Sequence, residues 1–175
     1  MKLLGLLRHA KSDWTTLRDF DRGLNDRGKR GAALMGRHIR EHGVSWDTLV
    51  ASPAERVRRT LELAHLKTAA QWEPRAYLAD EETLLDIVRA APGSSDSLLV
   101  AGHNPGLQDL IFSLVGEERE GALFDTVAEK YPTATFAVLE LDITRWIDCT
   151  PGCGRLVHIA RPRDLSPELG PLSGD

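Results

Sequence analysis

The sequence predicts an α/β fold, a three-layer sandwich. Its mainly parallel central sheet is flanked by helices, with an antiparallel strand near one edge. Two patterns carry that expectation. Short apolar runs such as SLLVAG alternate with stretches of helical character along most of the 175 residues. The runs in the first two thirds are apolar without alternation, as strands covered on both faces are. A 42% hydrophobic and 27% charged composition suits one ordinary globular domain of this size.

The elements follow in order. Lys2–Leu7 reads as a fully buried strand. Residues 9–24 are polar, without a period, and read as a long loop. Asn25 can cap a helix running to about Glu41, with Leu34, Met35 and Ile39 free to face a core and Gly43 as a stop. DTLVA (47–51) is a second strand. In the SPAE that follows, Ser52 suits an N-cap, Pro53 the first helical position and Glu55 a capping box, for a helix to about Ala64. QWEPRAY (71–77) is a weak strand that Pro74 places at an edge. Residues 81–91 form a helix with acids in its first turn, ended by Pro92-Gly93. SLLVAG (97–102) is the clearest buried strand, and HNPG opens a helix with Asn104 as cap and Pro105 at its first position. Residues 117–130 suit a short helix. TATFAVLELD (133–142) and RLVHIAR (155–161) pair across the loop 145–154. The expected domain spans residues 1–165, and 166–175, rich in Pro, Gly and Ser, form a loosely ordered tail.

Charge narrows the function classes. The net charge of -4 disfavours general nucleic-acid binding, and no apolar run is long enough for a membrane helix. Residues 1–60 nevertheless hold 13 Lys and Arg against 7 Asp and Glu, whereas the rest hold 9 against 19. A basic N-terminal third suits an anionic ligand. Two cysteines, Cys149 and Cys153, are too few for a disulfide framework and read as incidental thiols on a turn, which points to a reducing cytoplasm.

Ligands of open α/β sheets bind at the carboxyl ends of the strands. Three strands here end in reactive groups: Arg8-His9 after the first, Ser52 after the second with Arg56 a turn later, and Gly102-His103-Asn104 after the fourth. Guanidinium forks match phosphate oxygens, and neutral imidazole can attack phosphorus. A nucleophilic histidine in a cationic cup supplies the positioning and charge stabilisation that phosphoryl transfer needs. His38 and His42 stand at i, i+4 with no third ligand evident from the sequence, so they read as a solvated helix face, and no metal is expected. Trp14 suits either the mouth of a site or an anchor for its loop.

LLRHAKSDW (ending at Trp14), DFDRGLNDRG (19–28), ASPAERVRRT (51–60) and VAGHNPG (100–106), with RLVHIARPRDL (155–165) more weakly, resemble the histidine phosphatase superfamily. Within it the chain is most similar to SixA-type phosphohistidine phosphatases. The resemblance runs to about Leu165. It implies His9 as the phosphoryl-accepting nucleophile, Arg8 and Arg56 as phosphate-binding arginines and His103 as a stabiliser of the transferring group. Ser12 and Asn104 are further phosphate-binding candidates. Ala10 stands where glycine is commoner, and Thr15 where many members have asparagine. No residue aligns with the family's glutamate acid. Asp80, Glu81 and Glu82 before the third helix are candidates, as are Asp13, Asp19 and Asp21 in the first loop.

Imidazole is a moderate leaving group, with a pKa of ~6.5, and tolerates a poor acid better than an alcohol does. The 94 positions between His9 and His103 leave no insertion for a lid, which favours a hydrolase over a mutase that must exclude water. The expectation is therefore a cofactor-free phosphatase. Its partner is a phosphohistidine-containing protein or a small phosphorylated substrate. The competing readings are a metabolite phosphomonoesterase or mutase and a non-catalytic phospho-ligand module.

Overall fold

The computed structural model describes residues 1–169. Six strands form one sheet in the order β3-β2-β4-β1-β5-β6: β1 Lys2–Arg8, β2 Thr48–Ala51, β3 Ala70–Trp72, β4 Ser97–Gly102, β5 Phe136–Leu141 and β6 Gly154–Ala160. β3, β2, β4 and β1 are parallel, whereas β5 runs antiparallel to both neighbours. Antiparallel pairing needs only a loop between β5 and β6, and the parallel half uses crossover helices.

Alternation along the strands sends side chains to two cores, which is why both faces carry helices. Leu4, Leu6, Leu98 and Val100 pack with α3 (Glu81–Arg89), α4 (Gly106–Leu114) and α5 (Ala122–Glu129). Leu7, Leu49, Leu99 and Val138 pack with α1 (Asp26–Glu41) and α2 (Glu55–Ala64). The expected sandwich is observed.

The helix caps hold two corrections. Asn25 caps α1 as expected, its Oδ1 accepting from Gly28 N at 2.8 Å. At α2 the expected Ser52 capping box is absent: the helix starts at Glu55, and Ser52 Oγ accepts from Ala54 N (3.3 Å) and bonds His103 (2.8 Å). At α4 Pro105 precedes the helix, which begins at Gly106. A Cβ on Gly106 would lie 2.0 Å from the Ala79 carbonyl oxygen, so only glycine allows that approach. Asn104 still accepts from Gln108 N, at 3.2 Å.

The ambiguous 117–130 region holds a turn at Glu117–Arg119 and then α5. After β6, Pro162–Leu165 form α6 and Pro167–Leu169 a 3-10 turn. The rest of the expected tail, residues 170–175, lies outside the described residues. Among the described residues no helix is long and apolar enough to cross a membrane.

The pairing of β5 with β6 shifts register: Val138 pairs His158 while Leu139 pairs Leu156. The extra residue, Val157, interrupts the alternation, and His158 meets His38 and His42 of α1. The two α1 histidines are therefore not a plain solvated face, and the expectation that they lack a third partner is corrected.

Candidate active site

Backbone ladders carry the reactive residues past the ends of three parallel strands. His9 N donates to Gly102 O (3.1 Å), and Ser52 N donates to Ala101 O (3.0 Å). The loop after β1 is pinned by Ala10 N donating to the Thr60 hydroxyl (2.9 Å) and by Ala134 N donating to His9 O (2.9 Å). A cleft of about 310 Å³ opens above the strand ends, lined among others by Arg8, His9, Ser12, Asp19, Arg56 and His103.

Within it His9 and His103 face each other with ring centroids 5.3 Å apart. His9 Nδ1 lies 2.8 Å from the Ala10 carbonyl oxygen. A carbonyl only accepts, so Nδ1 carries the proton and Nε2 the free lone pair. Burial holds the His9 pKa well below the ordinary histidine value, and Arg8, His103 and Arg56 add to that. His103 is pushed down to about 3 by burial and then by Arg56. Its Nε2 is 2.8 Å from Ser52 Oγ. Both rings are neutral at pH 7, so any charge stabilisation in the free protein comes from the guanidinium groups.

Those groups are fixed. Arg8 Nη1 donates to the Tyr131 carbonyl at 3.0 Å, as does Asn104 Nδ2 at 3.1 Å. Arg56, almost fully buried, donates to the Asp19 carbonyl (2.8 Å) and to Asp19 Oδ2 (3.1 Å). The buried Nε atoms of Arg8 and Arg56 have no partner among the described residues. Such donors gain most from an incoming acceptor.

The sequence reading passed over Arg22. It is 8% exposed, lines the cleft, and donates to Ser12 Oγ (3.1 Å) and Asp19 Oδ1 (2.9 Å) while stacking on Trp14 at 3.7 Å. Tyr77 was also missed; its hydroxyl donates to Asp19 Oδ2. The available signal for Arg22 was the DFDRG segment, where it follows two aspartates it can pair with. Trp14 lines the cleft and stacks under Arg22.

Ser12 and Asn104 both line the cleft. The acid candidates divide. Asp19 is in the cleft, but hydrogen bonds from Tyr77, Arg22 and Arg56 hold it down at about 2. Asp13 accepts from Thr15 N in its own loop, and Asp80 caps α3 through Thr83 N. Both are held below the usual carboxylate range by those bonds. Glu81 and Glu82 are exposed in the first turn of α3, and Asp21 pairs with Arg18. Of the six acid candidates, Asp19 lines the cleft and Asp13, Asp21, Asp80, Glu81 and Glu82 are not among the residues lining it.

A family model for the histidine phosphatase superfamily (branch 1) matches residues 4–82, which include Arg8, His9, Asp19, Arg22 and Arg56. The chain belongs to the histidine phosphatase superfamily. It is 33% identical over 159 residues to an uncharacterised protein of Mycobacterium tuberculosis, covering 90% of this chain and all of that one. Among solved structures it is similar to a candidate phosphohistidine phosphatase SixA from Nakamurella multipartitia. That match has 29% identity and a TM-score of 0.83, and covers 92% of this chain and 96% of that one. It is also similar to a second SixA candidate, from Agrobacterium tumefaciens, with 28% identity, a TM-score of 0.77 and coverage of 92% and 98%. The chain is a phosphatase of that superfamily.

Proposed function

We propose that the protein hydrolyses phosphohistidine on partner proteins through a phosphohistidine intermediate on His9, with neither metal nor cofactor. The observation that carries this reading is the 2.8 Å contact of His9 Nδ1 with the Ala10 carbonyl, which leaves Nε2 as nucleophile in a cleft shared with the half-buried Arg8 and the buried Arg56. The lone pair of Nε2 forms a bond to phosphorus as the bond from phosphorus to the leaving imidazole breaks. That imidazole keeps the electron pair and takes a proton from solvent. Arg8 and Arg56, with Ser12 and Asn104 at the rim, hold the phosphoryl oxygens. His103, neutral in the free protein, donates a hydrogen bond to the transferring group. Water then attacks phosphorus, the bond to Nε2 breaks, and phosphate leaves.

The substrate class follows from the acid. Among the described residues, Asp19 is the only carboxylate lining the cleft, and at about 2 it is ionised and committed to three donors. An alkoxide leaving group gets little help from such a group, whereas an imidazole needs little.

The reading is tested with labelled phosphodonors. Wild type acquires acid-labile, alkali-stable label, and His9→Ala does not, with kcat/KM lower by on the order of 10⁴-fold or more. A phosphohistidine peptide turns over faster than sugar phosphates. Label on His9→Ala overturns the nucleophile. Faster turnover of sugar phosphates overturns the substrate class and leaves the phosphatase in place. Binding of phosphopeptide without turnover by wild type would make the protein a recognition module.

A further inference from the structure

We propose that His38, His42 and His158 form a binding site for one divalent transition-metal ion of the zinc class, separate from the phosphatase cleft. The ligating nitrogens of the three imidazoles all lie within 4.8 Å of one another, and His38 Nε2 is 2.9 Å from His158 Nε2. Zinc takes imidazole nitrogen at ~2.0–2.1 Å, which sets neighbouring nitrogens about 3.3 Å apart in a tetrahedron. Small ring rotations meet that spacing. Donor chemistry agrees, since three neutral imidazoles suit zinc, nickel or copper far better than magnesium or calcium.

Three features of the fold assemble the set. His38 stands in the last turn of α1 and His42 is its C-cap, at the helix end where the dipole favours a cation. The extra Val157 in β6 brings the third imidazole to that face. Phe136 packs edge-on against His38 and His42, with its ring centroid 5.9 Å from that of His158, giving the cluster an apolar back wall. All three histidines are half-buried. A fourth position is therefore open to water, the pattern of three protein ligands plus an exchangeable one.

The site is remote from the chemistry. His158 is level with Val138, which is level with Gly5 of β1. Gly5 precedes His9 by four residues, about 13 Å along the strand, and His158 is two strands to the side. Binding displaces the hydrogen bond between the two Nε2 atoms; the imidazole whose Nε2 carried that proton retains one on Nδ1, exchanged through solvent. The ion ties the end of α1 to the edge strand.

Cobalt(II) and zinc(II) titrated into chelator-stripped protein test this. Wild type takes up one cobalt per chain, with the visible bands of a four-coordinate nitrogen and oxygen site and no thiolate charge transfer, which excludes Cys149 and Cys153. His158→Gln and His42→Gln each weaken binding at least ~100-fold, and His9→Ala leaves it unchanged. Zinc raises the Tm of wild type by several degrees and that of His158→Gln not at all. If His158→Gln fails to fold, His42→Gln at the helix end decides alone. Absence of stoichiometric cobalt uptake by wild type, or binding that survives both substitutions, overturns the site. Phosphatase activity is not the readout, so failure here leaves the His9 reading untouched.

Discussion

Two residues carry opposite consequences of one arrangement. His9 is neutral because its burial and three cationic or imidazole neighbours oppose a proton. A nucleophile so held keeps its lone pair through mildly acidic conditions. The acid limb of kcat/KM, corrected for the substrate's own titration, is therefore expected below pH 6; a limb at about 6.5 would mean an ordinary exposed histidine. Asp19 is the converse, an anion tied to Arg22, Arg56 and Tyr77. Its contacts with Arg56 suit it to position that guanidinium rather than to act as an acid. Asp19→Asn should lower kcat/KM about 10- to 100-fold, and by the same factor for a phosphoramidate and for an aryl phosphate. A general acid would show a much larger loss on the substrate with the poorer leaving group, and that split would refute the positioning role.

At the level of elements, the loop between β1 and α1 is held by the start of the helix it precedes. Asn25 caps α1 through Gly28 N, its backbone N donates to Lys11 O, and a Cβ on Gly28 would lie 2.0 Å from that same Lys11 oxygen. Asn25→Ala should destabilise the fold by about 1 kcal/mol, a fall in Tm of roughly 2–4 °C, with Asn25→Ser recovering most of it. Gly28→Ala should cost more and depress kcat/KM as well, because the backbone of the Ser12 loop must move. Thermal melts and steady-state rates on the pair check both. The central parallel strands were legible because buried parallel strands are unbroken apolar runs: SLLVAG is β4 residue for residue, whereas the strand expected over 71–77 ends at Trp72 and gives way to a 3-10 turn at Pro74–Ala76. The convergence of Arg8, His9, Arg56 and His103 was legible too, since a parallel sheet delivers its strand ends to one rim. The starts of α2 and α4 were not, unlike those of α1 and α3. Ser52 and Asn104 are good caps by type, but Ser52 is committed to His103, and Asn104 to the Tyr131 carbonyl and Gln108. Nor was Arg22, whose burial depends on Ser12, Trp14 and Asp19 folding over it, nor His158, which a one-residue register shift moved across the sheet.

Across the whole molecule, the burial that prepares the site also sets the acid stability. In the folded chain His103 titrates at about 3 and His158 at about 4, with His9 and His38 also lowered, mainly by burial. Unfolded, each titrates near ~6.5. Between those values the unfolded chain binds more protons than the folded one, so stability rises with pH and is lost as pH falls below about 6.5. For the buried His9 and His103 the slope is up to ~1.4 kcal/mol per pH unit each. Asp19, at about 2 when folded, adds stability above its unfolded value of ~3.9 and loses it only below that. Acid sensitivity should therefore begin with the histidines, well above the carboxylate range. Urea unfolding in chelator from pH 7.5 to 4.5 should show the midpoint falling steadily from about pH 6.5, with more than one proton taken up on unfolding. His158→Gln should flatten the upper part of that curve. A midpoint constant down to pH 4.5 would mean that the imidazoles are protonated in the folded protein, and the neutral nucleophile would fall with it.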